Sequence, residues 1–410
     1  MTPEIEKRIK AVKAGRVPTG YKKTKIGIVP KEWEVFPLKD VSTELHDVAG
    51  KNHYEPLSIS AGIGFVNQTN KFGKDISGAQ YAKYTVIRKN DFSYNKGNSK
   101  KYPQGCIYRL KDREIAVVPN VFESFRLNCG EPEYFEHLFI NGFFNRQLSS
   151  KINHGVRDDG LLNLRGDDFY SCQVPFPPLS EQKKIAEILS AQDKIIELKE
   201  KLIVEKQKQK HCLMKELLDE TAKKPFKLND VIVDKKKWKK IKLEDFASLK
   251  TGTLPTFTAE KGLYPFVNAG SDYSGYTNEY NCEGDVITTP SRGQGGIGEV
   301  FYQRSPFWLG PLSYRIKVSQ GNSASYVFYI MLFNKRKIKD ETKTGSIPAV
   351  NARDLGKLKY WLPPFPEQQA IAAILSSADE EISLLQRDLE QEKLKKKSLM
   401  QLLLTGLVRV

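Results

Sequence analysis

Residues 181–193 read EQKKIAEILSAQD, and residues 367–379 read EQQAIAAILSSAD. Eight of the thirteen positions are identical at a constant offset of 186. The likeness runs on downstream: Leu213-Met214 matches Leu399-Met400, and Leu217 matches Leu403. A chain that repeats a long helix at that distance is built of two similar halves, each a globular segment followed by a helical rod.

The two rods carry the same seam. In the second, Ile371, Leu375, Ala378, Ile382, Leu385, Leu389, Leu399 and Leu403 fall on one 4-3 spaced stripe, interrupted by Glu392 and Lys396. In the first, the same offsets give Ile185, Leu189, Gln192, Ile196, Lys199, Ile203, Leu213 and Leu217, interrupted by Lys206 and Lys210. Sustained 3.5-residue periodicity predicts two helices packed on each other, with the polar seam residues fixing register. Each rod of about 38 residues spans roughly 57 Å. Ser180 is placed to cap the first rod, and Pro366 suits a first helical turn. Gly406 is placed to stop the second rod. Pro225 lies beyond the end of the first.

Three stretches together are recognisable: VPFPPLSEQKKIAEILS before the first rod, LPPFPEQQAIAAILSSAD before the second, and the terminal LLLTGLVRV. The opening GYKKTKIGIVPKEWEVFPLKDV adds a Trp-x4-Leu-x-Asp pattern at Trp33, Leu38 and Asp40 that recurs at Trp238, Leu243 and Asp245. The chain closely resembles the specificity subunit of type I restriction-modification systems. The resemblance covers nearly the whole chain, most specifically the helices and the two domain entries. It implies an α+β fold with two similar target-recognition domains. These are separated by two long antiparallel coiled-coil helices, in a pseudo-two-fold internal repeat. The matching boundaries are an N-terminal helix and connector at 1–19, recognition domain one at 20–177, a central spacer helix at 178–222, recognition domain two at 223–363, and a C-terminal spacer helix at 364–410.

Composition points the same way independently. The chain has 410 residues, enough for two cores and the connecting rods. It carries 65 Lys and Arg against 49 Asp and Glu, a net charge of +16. Excess positive charge suggests a polyanionic partner, held by contacts to phosphate. The five cysteines, Cys106, Cys129, Cys172, Cys212 and Cys282, form no C-x-x-C pair, so neither a disulfide framework nor a zinc knuckle is indicated. The start, MTPEIEKRIK, is too charged for a secretory signal, and no apolar run approaches membrane-spanning length. A cytoplasmic location follows as the expectation.

Along the chain, residues 3–14 read as a short amphipathic helix with Ile5, Ile9 and Val12 on one side. From Trp33 to about Val174 the text is mostly short strands and turns, with helical spacing near residues 134–148. A lysine-rich bridge at 223–240 follows the first rod. The second globular segment repeats the plan, with strand-like text at 241–316 and a helix near 324–334. DDFYSCQVPFPPL aligns with RDLGKLKYWLPPF at the same offset before the rods. The interval from Trp33 to Glu181 exceeds that from Trp238 to Glu367 by 19 residues. Shared scaffolds with divergent interiors suggest one job done on different targets.

Chemistry-bearing motifs fail on inspection. Gly293, Gly295 and Gly298 satisfy G-x-G-x-x-G, but a dinucleotide site needs a helix to follow. Glu299-Val300-Phe301-Tyr302 reads as strand instead. Leu362-Pro363-Pro364-Phe365 lacks the Asn, Asp or Ser that an amino-methyltransferase motif requires. No Walker A loop, H-E-x-x-H pair or nuclease carboxylate cluster is present, and His46, His53, His137, His154 and His211 show no metal-ligand spacing. No catalytic residue and no metal ligand is assigned, and no cofactor is expected in this chain.

What remains is recognition of DNA, in which side chains read base edges while cations and hydroxyls hold phosphates. In the first half the loop YNKGNSKKY (94–102) supplies Tyr94, Lys96, Asn98, Lys100 and Lys101, and the segment before the rod supplies His154, Arg157 and Arg165. In the second half the loop TTPSRGQ (288–294) supplies Arg292 and Gln294, and the segment before the rod supplies Lys343, Thr344, Asn351 and Arg353. Taken singly, each of these is also an ordinary solvated loop residue.

The resemblance implies a non-catalytic subunit whose two domains read the halves of an asymmetric, interrupted site in double-stranded DNA. The rods would set the gap. Two modification subunits carrying S-adenosylmethionine for adenine methylation would flank the chain, joined by restriction subunits that use ATP and magnesium. Other readings are a methylation-only system, a coiled-coil adaptor without nucleic-acid contact, and a free-standing enzyme. The N-terminal helix is expected near the C-terminal rod.

Overall fold

The computed structural model describes residues 2–73, 78–97, 101–152, 162–221, 225–228, 230–256, 258, 260–270, 272–293, 296–342 and 348–410. The chain divides into two compact units: Met1–Leu198 with Leu389–Val410, and Lys199–Asp388. Both long helices cross that division, so each unit holds one half of each helix.

The first unit runs α1 (Pro3–Lys13), the hairpin β1 (Tyr21–Thr24) and β2 (Gly27–Pro30), β3 (Glu34–Pro37), the single turn α2 (Leu38–Val41), and β4 (Ser42–Glu44). It continues with β5 (Leu57–Ser60), β6 (Gly64–Asn67), α3 (Gln68–Phe72), β7 (Thr85–Arg88), β8 (Phe92–Asn95), β9 (Cys106–Arg109), β10 (Ile115–Val118) and β11 (Glu123–Leu127). Helices α4 (Pro132–Ile140), α5 (Asn145–Ser149) and α6 (Gly166–Tyr170), strand β12 (Gln173–Phe176) and the long helix α7 (Leu179–Leu218) follow. The second unit repeats the plan. It runs β13 (Phe226–Leu228), β14 (Val231–Val233), β15 (Lys239–Lys242), α8 (Leu243–Phe246), β16 (Ala247–Thr251), β17 (Tyr264–Val267), β18 (Tyr276–Thr277), β19 (Val286–Pro290) and β20 (Phe301–Gln303). Then come β21 (Trp308–Leu309), β22 (Ser313–Val318), α9 (Ala324–Phe333), α10 (Lys335–Asp340), α11 (Ala352–Lys357), β23 (Lys359–Leu362) and α12 (Phe365–Leu403).

Each unit is built on a four-stranded antiparallel sheet, in order β4-β11-β8-β9 and β16-β22-β19-β20. Apolar alternation explains the layers. Phe92 and Phe125 in one unit, and Ile287 and Ile316 in the other, point from one sheet face into the core made with α4 or α9 and the long helices. Much of the extra length of the first unit lies between β4 and β8, where it holds β5, β6, α3 and β7; among the described residues the second unit holds β17 and β18 between the matching strands.

The repeated sequence letters hold equivalent bonds. Trp33 Nε1 donates to Glu181 Oε2 at 2.9 Å, and Trp238 Nε1 donates to Glu367 Oε2 at 3.0 Å. All four side chains are buried. The next residue repeats as well. Gln182 accepts from the Glu131 amide and donates to the Pro177 carbonyl. Gln368 accepts from the Ser323 amide and donates to the Pro363 carbonyl. A buried carboxylate and a buried amide need such partners, and here they tie each rod to its own domain. Leu38 N donates to Cys172 O, and Leu243 N to Leu358 O, closing each domain entry on its exit.

Every residue of the first seam and of the second is buried or half-buried. The polar interruptions are paired across the helices. In the second unit Lys199 meets Asp388 at 2.6 Å, Lys206 meets Glu381 at 2.6 Å, and Lys210 meets Asp379. As one helix advances the other retreats, so the segments are antiparallel. In the first unit Gln192 bonds Glu392 at 2.7 Å and Lys396 pairs with Asp193, while Ile185 and Leu189 share a core with Met400, Leu403 and Leu404. The pairs Lys396–Asp193 and Lys210–Asp379 map onto each other by the 186-residue offset.

The expected N-terminal contact is present. Arg8 donates to the Leu407 carbonyl at 3.0 Å, and Tyr21 to the Gly406 carbonyl at 2.7 Å, just past the end of α12. Gly406 takes φ 68°, as a helix-stopping glycine does. Two expectations change. The long helix α7 starts at Leu179, so Ser180 lies in its first turn and not at the cap. The helical text at 134–148 is two helices, α4 and α5, parted at Gly142 with φ 71°.

Candidate nucleic-acid interface

In each unit the two stretches that carry candidate DNA contacts are stitched together by backbone bonds. In the first, Leu162 N donates to Lys96 O at 3.0 Å. The loop after β8 therefore meets the segment before α6. In the second, Val350 N donates to Ser291 O at 2.9 Å, Gly293 N donates to Pro348 O at 3.1 Å, and Arg292 bridges Ala349. The loop after β19 thus meets the segment before α11. Residues more than 50 apart in sequence thus meet just beyond the inner strands β8 and β19, immediately before the short helices α6 and α11.

Individual candidates fare differently. Lys101 is exposed, with its ammonium 5.8 Å from the centre of the Tyr102 ring. Arg165 is exposed at the residue before α6. Its equivalent by offset is Asn351, exposed at the start of α11, whose Oδ1 accepts from Asp354 N at 2.8 Å. Arg292 and Arg353 are exposed in the second unit. Two candidates are structural. Tyr94 is fully buried, stacked on Phe169 with ring centres 4.7 Å apart, and donates to Gln104 O at 2.8 Å. Desolvation drives its hydroxyl far above the usual range, so it stays neutral. It belongs to the core because it shares the inward face of β8 with Phe92. Lys96 is mostly buried, pairs with Glu123 at 2.5 Å, and also reaches Leu164 O. It holds the two stretches together from inside. Asn98, Lys100, Arg157, Gln294 and Lys343 lie outside the described residues, as do His154 and Thr344.

Beside these loops, each unit has a groove along the outer sheet strand. In the first it runs by β9 and α4, with a volume of about 360 Å³. Its walls include Ile63, Lys101, Tyr102, Arg109, Lys111 and Arg113. Arg109 and Lys111 pair with Glu136 at 2.7 and 2.6 Å, and Arg113 with Glu55. In the second it runs by β20 and α9, with a volume of about 620 Å³. That one is lined by Asp272, Asp285 and Asp379 against Arg304, with Tyr302, Phe328 and Tyr329 as an aromatic wall. Reading the sequence for cations and amides missed the turn at Ile63, which has neither; its only mark is an apolar residue between two glycines.

The glycine pattern at 293–298 leads into strand β20, as expected for a turn and not for a phosphate-binding helix. Among the described residues, no group of His, Cys, Asp and Glu is placed to hold a metal. Among them too, no helix is long and apolar enough to cross a membrane.

A duplicated α+β domain, each copy closed on halves of two antiparallel helices and presenting stitched polar loops, defines a two-headed recognition protein. Residues 30–206 and 235–394 match the family model described as the type I restriction modification DNA specificity domain. The chain belongs to that family of type I restriction-modification specificity subunits, with a recognition domain in each half. It is 27% identical over 419 residues to the "Putative type I restriction enzyme MjaX specificity subunit" of Methanocaldococcus jannaschii, covering 95% of this chain and 97% of that one. The MjaIX specificity subunit of the same organism is 24% identical over 458 residues, at 96% and 97% coverage. Among solved structures, the S subunit of a type I system from M. genitalium superposes with a TM-score of 0.62 at 18% identity, covering 90% of this chain and 96% of that one. A chain from a type I assembly solved for its complex formation and conformational transition gives 0.56 at 18% identity, covering 93% and 99%. These likenesses bear on the fold.

Proposed function

We propose that this chain is the non-catalytic DNA reader of a type I restriction-modification complex. Each unit reads one half of an asymmetric, interrupted site in double-stranded DNA. The observation that carries this reading is the pair of stitched loops, placed on one scaffold in both units and written in different residues. Lys101 and Arg165 serve the first half-site, and Arg292, Asn351 and Arg353 the second. Asn98, Lys100, Arg157, Gln294 and Lys343 extend the same two surfaces. Tyr94 and Lys96 act from beneath, as supports. The helices act as spacer and as docking surface for two modification subunits, which carry S-adenosylmethionine. Restriction subunits using ATP and magnesium complete the assembly, in the cytoplasm.

The spacer role has a direct test. Adding one heptad to each long helix at equivalent positions lengthens each by about 10 Å, about three base pairs of duplex. Binding of the complex to duplexes with graded gaps should then peak at a gap about three base pairs longer. An unchanged optimum would refute the spacer role.

A further inference from the structure

Strands β5 and β6 form a separate two-stranded antiparallel ribbon, paired from Leu57–Asn67 to Ser60–Gly64. Its base is anchored. Leu57 and Ile59 are buried in a small core with Ile87, Leu110 and Val118, and Glu55 bonds both Asn67 and Arg113. Its tip is built to present one side chain. Gly62 and Gly64 take φ 86° and 113°, conformations that side chains rarely adopt. Gly62 N donates to the Tyr108 hydroxyl at 2.7 Å, and Ile63 N donates to Ser60 O at 3.0 Å. Any Cβ on Gly62 would come within 2.9 Å of the Tyr102 hydroxyl oxygen. Between these fixed glycines Ile63 stands 75% exposed.

An isoleucine held out so rigidly loses little further freedom on contact, and it leaves water only when something covers it. Its neighbours say what that is. Ile63 shares its groove with Lys101, Arg109, Lys111 and Arg113, which outnumber the carboxylates Asp112 and Glu136 of the same lining, so a surface that carries phosphate suits it. The loop that ends at Lys101 begins at Lys96, in the stitched pair of the same unit. A two-stranded ribbon fits the major groove of B-DNA, where the one apolar group on a base edge is the thymine C5-methyl.

We propose that the Gly62–Ile63–Gly64 tip is a further specificity element of the first unit, and that Ile63 packs on a thymine methyl in the half-site this unit reads. The inference rests on the DNA-reading function above. It adds a residue type that a search for hydrogen-bonding side chains passes over. In the second unit the interval between β16 and β19 holds, among the described residues, β17 and β18, which pair with each other and, through β17, with β21 in a three-stranded sheet.

The test uses the full chain assembled with its modification subunits, and a duplex carrying the methylated motif. Uracil replaces each thymine of the half-sites in turn, removing only the methyl. One substitution in the first half-site should weaken binding about fourfold, the worth of one buried methyl. Ile63→Ala should weaken binding to the unmodified duplex roughly tenfold and abolish the penalty at that one thymine. Ile63→Leu should restore most of both. Ile63 is exposed, so circular dichroism and melting of Ile63→Ala should match the parent, separating a contact from a folding defect. Equal binding by Ile63→Ala and the parent would overturn the inference while leaving the DNA-reading function standing. So would a uracil penalty that persists in Ile63→Ala. Failure of the parent complex to prefer its motif would sink both.

Discussion

The two recognition units share their fastenings and differ in their grooves. Trp33 and Trp238 grip Glu181 and Glu367 with bonds of 2.9 and 3.0 Å, and Gln182 and Gln368 make the same pair of backbone bonds. Along the outer sheet strand, however, the first unit lines its groove with Lys101, Arg109, Lys111 and Arg113 beside Asp112 and Glu136, and the second with Asp272, Asp285 and Asp379 beside Arg304. Fastenings must satisfy buried polar groups, which allows little variation. The exposed groove and loop residues, such as Lys101 and Arg292, face water and can differ without cost to the core. The contrast separates the residues that hold each domain together from those in which the two domains differ.

The largest effect should come from breaking a fastening. Trp33→Phe and Trp238→Phe each remove one donor and leave a buried carboxylate short of a partner. Each should lower the stability of its own unit by about 3 kcal/mol, seen as faster amide hydrogen exchange there. The loss should be the smaller in the first unit, where Glu181 keeps its bonds to Arg409; a loss confined to one unit would break the equivalence.

A smaller effect should expose an asymmetry inside that likeness. Glu181 also accepts from Arg409, at 2.6 and 2.9 Å, and Arg409 reaches Glu32 at 2.6 Å. These carboxylates hold the guanidinium proton more tightly than usual. Glu181→Gln keeps an acceptor for Trp33 but loses the charge. It should cost about 1–2 kcal/mol more than Glu367→Gln in parallel denaturant titrations.

The junction of domain and helix offers a pH contrast. In the first unit His137 is buried, bonded to Ser190 at 3.0 Å, with Asp193 3.9 Å away and Glu133, Glu136 and Lys396 nearby. The second unit places Tyr329 against Ser376 and Asp379. Burial lowers the His137 pKa below its ordinary 6.5, with Lys396 adding to the shift and the three carboxylates opposing it. The unfolded chain therefore binds the proton first as pH falls. Stability is whole above 6.5 and declines below it, until the folded value is reached. Exchange protection of the first unit should fall by about 1 kcal/mol or less between pH 7 and 5.5. His137→Gln should flatten that decline and leave the second unit unaffected.

The smallest effects concern register. Lys396–Asp193 and Lys210–Asp379 are partly exposed pairs at equivalent places. Double-mutant cycles should give coupling energies of about 0.5 kcal/mol each, equal within a few tenths. A coupling present in one pair and absent in the other would show that the helix register is fixed in one unit alone.

The sequence was most legible where the two halves repeat. The seam, its polar interruptions and the Trp-x4-Leu-x-Asp entries could all be read, because buried partners restrict substitution. Their meaning was not readable. Nothing in the letters says that Trp33 bonds a glutamate 148 residues away. Tyr94 was misread because aromatic, amide and lysine residues together resemble a contact loop, while β8 turns Phe92 and Tyr94 inward. The convergence of the loops on residues 162–165 and 348–353 was hidden, since each pair is joined only through the folded sheet. Ile63 was passed over because it carries no group that a search for base-reading side chains seeks.

The central claim is that one scaffold reads two different half-sites. Long-read mapping of adenine methylation in the source strain, with and without this gene, tests it most directly. The account predicts loss of methylation at a single interrupted motif whose two halves differ. A palindromic motif, or methylation that persists without the gene, would contradict it.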